Sequence, residues 1–516
     1  MLLKVTSLLL LLNYCNAANI LGIFHHPGKS HHMLGEVLLK AMASRGHKVT
    51  MVSPFPLKEP FPNYRDIVTP ETMQDMNNRI KNEWFQKFSH NSASIDTFFM
   101  LLNMTVTQAD LLFQNAEFKK MWTSNEKVDL ILIDWMFNES HLIFSKIFKC
   151  PIILMATAGT AFNVNYIVGN TAPYSYVPFK YFPITDKMNF WERTMNTIVH
   201  VSAEVVSYYQ RIKQQKILHR YIPDAPSIDE LSKNVALVLS NGHYSYETRR
   251  PSVPNSIDIG GFHVGEVKQL PKDIKAYLDS AKDGFIYFSL GSNMKSIFLD
   301  EKKLNGILSA FSKVNLKVLW KLEKDIPNKP KNIKIAKWLP QNDVLAHPNI
   351  KLFITHGGLL STIESIHHGV PMIGIPMFGD QNSNVPTGVE AGYTLRIKPE
   401  EICEEALLAN IQEMLRNETY SKKAKLHSDL LRNQPIKPLD KGVFWMEHVI
   451  KHKGAKHLAN ASMNLHWYQN LLIDVFIFLF AILLSVIGLC YLMIRLVLKM
   501  FIKNKRISQL KKKKNN

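Results

Sequence analysis

The 516 residues carry 62 Lys and Arg against 43 Asp and Glu, a net charge of +19, and 46% of them are hydrophobic. That length allows about two to four domains, each with an apolar core of ordinary richness. The charge resembles a nucleic-acid binder's, but nine of the Lys and Arg sit in residues 495–516, leaving +10 over the rest, and no nucleic-acid-binding motif occurs, so that class is excluded.

Residues 1–17, MLLKVTSLLLLLNYCNA, pair one Lys with an apolar run and small residues at Cys15 and Ala17. This reads as a secretory signal peptide cleaved after Ala17. Asn19–Phe24 is a strand, HHPGKS a loop, Met33–Ser44 a helix ended by Gly46, and Lys48–Ser53 a second strand. This βαβ unit lacks GxGxxG and need not hold a nucleotide. Histidines 25, 26, 31 and 32 raise the alternative of zinc, against which no acidic or Cys ligand sits beside them. Residues 55–127 read as mostly helical, without a motif. Val128–Asp134 is a buried strand ending in a carboxylate, placed where α/β proteins bind ligands; a helix cap is the alternative. CPIILMATA is another strand. Residues 160–220 are rich in aromatics and Pro, compatible with an apolar ligand pocket, a membrane-lying surface, or loops over a core. Asn234–Asn241 ends the first domain, and the Pro- and Gly-punctuated stretch after it is a linker.

Phe285–Asn293 opens the second half as a strand with a Gly-Ser loop. The most informative stretch is Trp338–Gln381: a strand at Leu352–Ile354, a His-Gly-Gly loop, the helix STIESIHHG, and the apolar strand VPMIGIPMF. Such a unit sets a helix N-terminus beside strand ends, a natural anion site. Ser361 and Glu364 have the spacing of a capping box, the local alternative to a ligand role. A helical region at 401–454 packs back before Val475–Ile494, 20 residues without a charge and long enough to cross about 30 Å of hydrocarbon. Trp467 and Tyr468 precede this span and the basic tail follows it, which places the tail in the cytosol. The tail's Lys513-Lys514-Asn515-Asn516 resembles a dilysine retrieval signal; a lysine run lying on anionic lipid is the alternative. Cys15 leaves with the signal peptide and Cys490 lies in the span, so Cys150 and Cys403 form no disulfide framework. Sequons stand at Asn103, Asn138, Asn417 and Asn460. The expected organisation is a signal peptide (1–17), a first domain (18–245), a linker (246–282), a second domain (283–455), a membrane helix (475–494) and a basic tail (495–516).

The pattern W-x-P-Q-N, then T-H-G-G-x-x-S-x-x-E, then G-x-P-x-x-x-x-P, then D-Q resembles the donor-binding signature of the UDP-glycosyltransferases, and LLSTIE after HGG is most similar to the insect, membrane-bound branch. The resemblance implies an α/β fold of two facing Rossmann-like domains, the glycosyltransferase-B fold, plus a C-terminal transmembrane helix. It implies that Trp338 stacks on uracil and Gln341 meets its edge. His356, Gly358 and Ser361 would serve the diphosphate, with Gly291 and Ser292 on the other phosphate-side loop. Glu364 would take the ribose, and Asp380 with Gln381 the sugar. Leu360 stands where many relatives have Asn, so one donor contact is missing or replaced. Ser30-His31-His32-Met33 matches the family's Ser-His-x-Met, making His31 the candidate base, and Asp134 matches its partner.

The implied reaction is inverting transfer of a hexose, glucose by preference, from a UDP-sugar to a hydroxyl of a small lipophilic acceptor such as a phenol, flavonoid or steroid. UDP-sugar is then a co-substrate, and no cofactor is implied. No DxD occurs, which disfavours a metal-dependent enzyme. The partners implied are donor, acceptor and membrane, without nucleic acid, and a homo-oligomer stays open. The expected location is the endoplasmic reticulum membrane, single-pass, with the body lumenal. The alternatives are a catalytically silent relative that binds nucleotide sugar, and a structural membrane protein.

Overall fold

The computed structural model describes residues 17–81, 95–291 and 300–514. The expected signal peptide, apart from Ala17, lies outside the described residues. The chain forms two compact units, Met1–Ala459 and Asn460–Asn516.

The larger unit holds two parallel sheets. The first has seven strands: β1 (Asn19–Ile23), β2 (Lys48–Ser53), β3 (Tyr64–Val68), β4 (Leu130–Asp134), β5 (Ile152–Ala156), β6 (Val235–Ser240) and β7 (Ser256–Asp258). Their order is β3-β2-β1-β4-β5-β6-β7. β4 and β5 are buried at every position, which is why they read as unbroken apolar runs. Among the connecting helices are α1 (Lys29–Ser44), α2 (Ile95–Gln114) and α3 (Phe190–Tyr221). From β1 the chain winds outward to β3, then crosses to the other side of β1 as β4. Connections leaving the carboxyl ends of β1 and β4 therefore diverge and open a crevice there.

The second sheet repeats the device with six strands: β8 (Phe285–Ser289), β9 (Lys317–Lys321), β10 (Ile333–Ala336), β11 (Ile350–Thr355), β12 (Met372–Gly374) and β13 (Thr394–Arg396), in the order β10-β9-β8-β11-β12-β13. Its crevice lies beyond β8 and β11. There α4 (Leu359–His367) follows β11, and α5 (Gln381–Ala391) follows β12.

Four elements differ from the sequence reading. α1 begins at Lys29 with Gly28 as N-cap, so His31 lies in a helical first turn and not in a loop. β7 falls within 246–282, the stretch read as linker, and pairs with β6. A helix of 32 residues, α3, occupies the end of the aromatic-rich stretch. β12 is only three residues long, because the Pro at 376 cannot continue a ladder. After the second sheet the chain returns to the first: α6 (Pro438–His452) lays Val443, Met446 and Val449 into the core built on Leu38, Leu39 and Ile259.

In the smaller unit, α7 (Ile473–Lys514) includes the whole expected span and runs on through the basic residues. It is long and apolar enough to cross a membrane.

Candidate active site

The first crevice joins side chains that are far apart in sequence. Asp134 ends β4, and His31 stands in the opening turn of α1. The His31 Nδ1 lies 3.0 and 2.9 Å from the two Asp134 carboxylate oxygens. Thr157, just past β5, has its hydroxyl 2.8 Å from the same nitrogen and donates to Asp134 Oδ1 at 3.1 Å. Nδ1 is thereby committed, and Nε2 is the nitrogen left for chemistry. Burial pushes the His31 imidazolium toward losing its proton. The charge and hydrogen bond of Asp134, with help from Asp380, more than reverse this, so its pKa is raised above the usual value. The alternative of Asp134 as a helix cap is not realised, because the next helical turn, Glu139–Ile143, has Asn138 at its N-cap.

The neighbouring histidines do other work. His32 points into the core, with Nδ1 3.1 Å from the Ser53 hydroxyl and Nε2 3.1 Å from Glu36. The His26 ring lies against that of His31, tilted by 32° with 4.3 Å between ring centroids, and burial holds it neutral. His25 packs against His141. Each imidazole has a different neighbour, and among the described residues no three His, Cys, Asp or Glu converge as metal ligands would. Asn138 is 2% exposed and its amide donates to the Asp134 carbonyl, so this sequon offers no accessible acceptor in the folded chain.

In the second crevice His356 follows β11, and its ring is wedged between two glycines. A Cβ at Gly291, where φ is +84°, would lie 2.6 Å from the ring, and one at Gly358 would lie 2.5 Å from Nε2. A side chain at either place would push the ring aside, and at Gly291 the positive φ also favours glycine. Burial, with the Lys321 ammonium adding to it, lowers the His356 pKa to about 4, so the ring is neutral at pH 7. Ser292 lies outside the described residues.

α4 starts at Leu359, with Gly358 as N-cap and no side-chain cap. The capping box is therefore not formed, and the first N–H groups of the helix remain open to an anion. Ser361 and Glu364 turn instead to Gln341, whose amide donates to the Ser361 hydroxyl at 2.9 Å and to Glu364 at 2.6 Å. The Tyr287 hydroxyl donates to the Gln341 carbonyl at 3.3 Å. Burial raises the Glu364 pKa to about 7 against the opposing hydrogen bond from Gln341. Leu360 packs against the core of the first sheet, which gives a physical use to the position where many relatives have Asn.

Trp338 is 58% exposed, with the ammonium groups of Lys29 and Lys321 at 4.7 and 5.7 Å from its ring centre. Asp380 precedes α5 and accepts from Asn384 at 2.7 Å. Gln381 differs from a free sugar ligand: its carbonyl already accepts the backbone N–H groups of Met377 and Phe378. Thr157, Lys29 and Lys321 join the site from outside any sequence motif.

The sequence matches the family described as "UDP-glucoronosyl and UDP-glucosyl transferase" over residues 23–508. Among its relatives is UDP-glucosyltransferase 2 of the insect Dactylopius coccus, 34% identical, with 91% of each chain covered. Rattus norvegicus UDP-glucuronosyltransferase 2B15 is 30% identical over 92% of this chain and 93% of its own. Among solved structures, the UDP complex of a UDP-glucose: anthocyanidin 3-O-glucosyltransferase superposes with a TM-score of 0.56, at 16% identity, over 84% of this chain and 99% of that one. The fold is accordingly that of the two-domain glycosyltransferase-B enzymes. The chain belongs to the UDP-glucuronosyl and UDP-glucosyl transferase family and is a UDP-glycosyltransferase, moving a sugar from a UDP-sugar donor.

Proposed function

We propose that this enzyme transfers a hexose, glucose in preference, to a hydroxyl of a small lipophilic acceptor such as a phenol, flavonoid or steroid, with inversion at the anomeric carbon. The observation that carries this reading is the buried His31–Asp134 pair, with Nε2 of His31 uncommitted. His31 takes the acceptor proton as the oxygen attacks, and Asp134 stabilises the imidazolium that forms. Thr157 steadies both. A neutral His356, the Ser361 hydroxyl, the backbone at Gly291 and Gly358, and the open end of α4 meet the charge that develops on the departing diphosphate. Trp338 stacks on the uracil, Gln341 reads its edge, Glu364 takes the ribose hydroxyls, and Asp380 with the amide of Gln381 takes the sugar. UDP-sugar acts as co-substrate, and the reaction uses neither a resident cofactor nor a metal.

The preference for glucose is supported by the 34% identity to an enzyme named as a glucosyltransferase. A division into an acceptor-binding and a donor-binding domain, with β7 belonging to the first, and the family's Ser292 role are part of this reading. So is a single-pass location in the endoplasmic reticulum membrane, with a cleaved signal peptide and the body lumenal. Microsomes carrying the protein should be offered UDP-glucose, UDP-glucuronate and UDP-galactose with a panel of phenols, flavonoids and steroids, with and without EDTA. Transfer from UDP-glucose to a phenolic hydroxyl that survives EDTA supports the proposal. Dependence on a divalent ion, or transfer from UDP-glucuronate alone, refutes the corresponding part.

A further inference from the structure

α3 is built inside out. Its inward face buries Asn196, His200, Ser207, Gln210 and Gln214, with Ala203 among them and Ile217 and Leu218 at its carboxyl end. The three amides among them are hydrogen-bonded. Asn196 donates to the carbonyls of Tyr174 and Val177, Gln210 to that of Leu102 and Gln214 to that of Phe137. The outward face is apolar: Trp191, Met195, Ile198, Val205, Tyr208 and Ile212 are 39–75% exposed. At about 100° per residue these side chains share an arc of about 140°, and the stripe is about 32 Å long. A helix at a water boundary has the opposite arrangement. An apolar stripe of this length marks a surface that meets something other than water.

We propose that this face lies in the interfacial layer of a lipid bilayer, so that α3 is a membrane-resting helix of the catalytic body. Three observations favour lipid over a second copy of the chain. The stripe is wider than the narrow seam by which two helices coil together. Lys213 and Lys216 lie in the same arc while Glu192 and Glu204 lie outside it, a basic flank suited to phosphate headgroups, whereas Arg211 and Arg220 pair with Asp229 and Asp110. The same chain also carries α7, long and apolar enough to cross a membrane, so a bilayer is present at high effective concentration. The inference does not depend on the identity of sugar or acceptor.

The test uses the full-length chain in phosphatidylcholine–phosphatidylserine nanodiscs, with a nitroxide placed in turn by Val201→Cys, by Val205→Cys and, as an exposed control, by Lys331→Cys. Signal from the native cysteines is subtracted using unsubstituted protein. Retained UDP-sugar turnover shows that each variant is folded. The expected result is an oxygen-to-nickel-chelate collision ratio several-fold higher at 201 and 205 than at 331. Equal ratios at all three positions place the face in water and overturn the proposal. Exclusion of both reagents, with spin–spin broadening that disappears on dilution with unlabelled protein, assigns the face to a second copy and overturns it equally.

Discussion

Asp134→Asn keeps the shape of the side chain and removes the charge that faces the imidazole. With nitrogen–oxygen distances of 2.9 and 3.0 Å, the charge centres of the pair are roughly 4 Å apart. Their side chains are 15% and 2% exposed, so water screens them little. At an effective dielectric near 20 the attraction is about 4 kcal/mol, and turnover should fall by up to about 10³-fold once the imidazolium forms without it. The sign of the pH effect follows from the same contact. A base must be unprotonated to act, and Asp134 raises the His31 pKa, so the acid limb of kcat in the native enzyme lies above the ordinary histidine value of about 6.5. In Asp134→Asn burial acts with only Asp380 to oppose it, and the limb should move to lower pH. The assay is kcat against pH with UDP-glucose and two acceptors, an aliphatic alcohol and an acidic nitrophenol that needs little base assistance. The nitrophenol should lose least. A limb that stays in place, or a loss under tenfold with the alcohol, would refute the assignment of this pair as base and support.

Trp338→Ala should weaken UDP binding by about 1–3 kcal/mol, the worth of a base stacked on an aromatic ring, as read by calorimetry. Unchanged affinity would place the uracil elsewhere. Glu364, with its pKa raised to about 7, is partly protonated in the empty site at neutral pH, whereas ribose hydroxyls donate best to its carboxylate. UDP-glucose affinity should therefore rise between pH 6 and 8, by at most about tenfold per unit, and Glu364→Gln should flatten the profile. A profile unaffected by that substitution would detach Glu364 from the ribose.

The central strands were legible because a parallel strand covered on both faces is written as an apolar run, as in VDLILID and KLFIT. The donor loop was legible because its glycines and helix start are contiguous in sequence. The start of α1 was not, since His-His-Pro-Gly reads as a loop and hides that Lys29–His31 form a first helical turn. α3 escaped because much of its apolar period faces outward, so that Asn196, His200, Ser207, Gln210 and Gln214 bury alongside Ala203, Ile217 and Leu218. The bond network of Gln341 with Ser361 and Glu364 could not be read locally: the two helical residues sit at capping spacing, and only a glutamine about twenty positions upstream draws them away from that role. Thr157, Lys29 and Lys321 reach the site from separate loops and strand ends, and no spacing rule links them.

The return of α6 to the first sheet bears on how the chain is made. The side of that sheet containing Leu38, Leu39 and Ile259 has its covering residues at Val443, Met446 and Val449, about 180 positions later. At synthesis rates of about 5–20 residues per second, some 10–40 s pass between the emergence of the sheet and that of its cover. During this interval the amino-terminal half presents an apolar surface to its surroundings. A chain cut short after β13 would carry every strand of both sheets and every donor-loop residue, yet remain a client of chaperones.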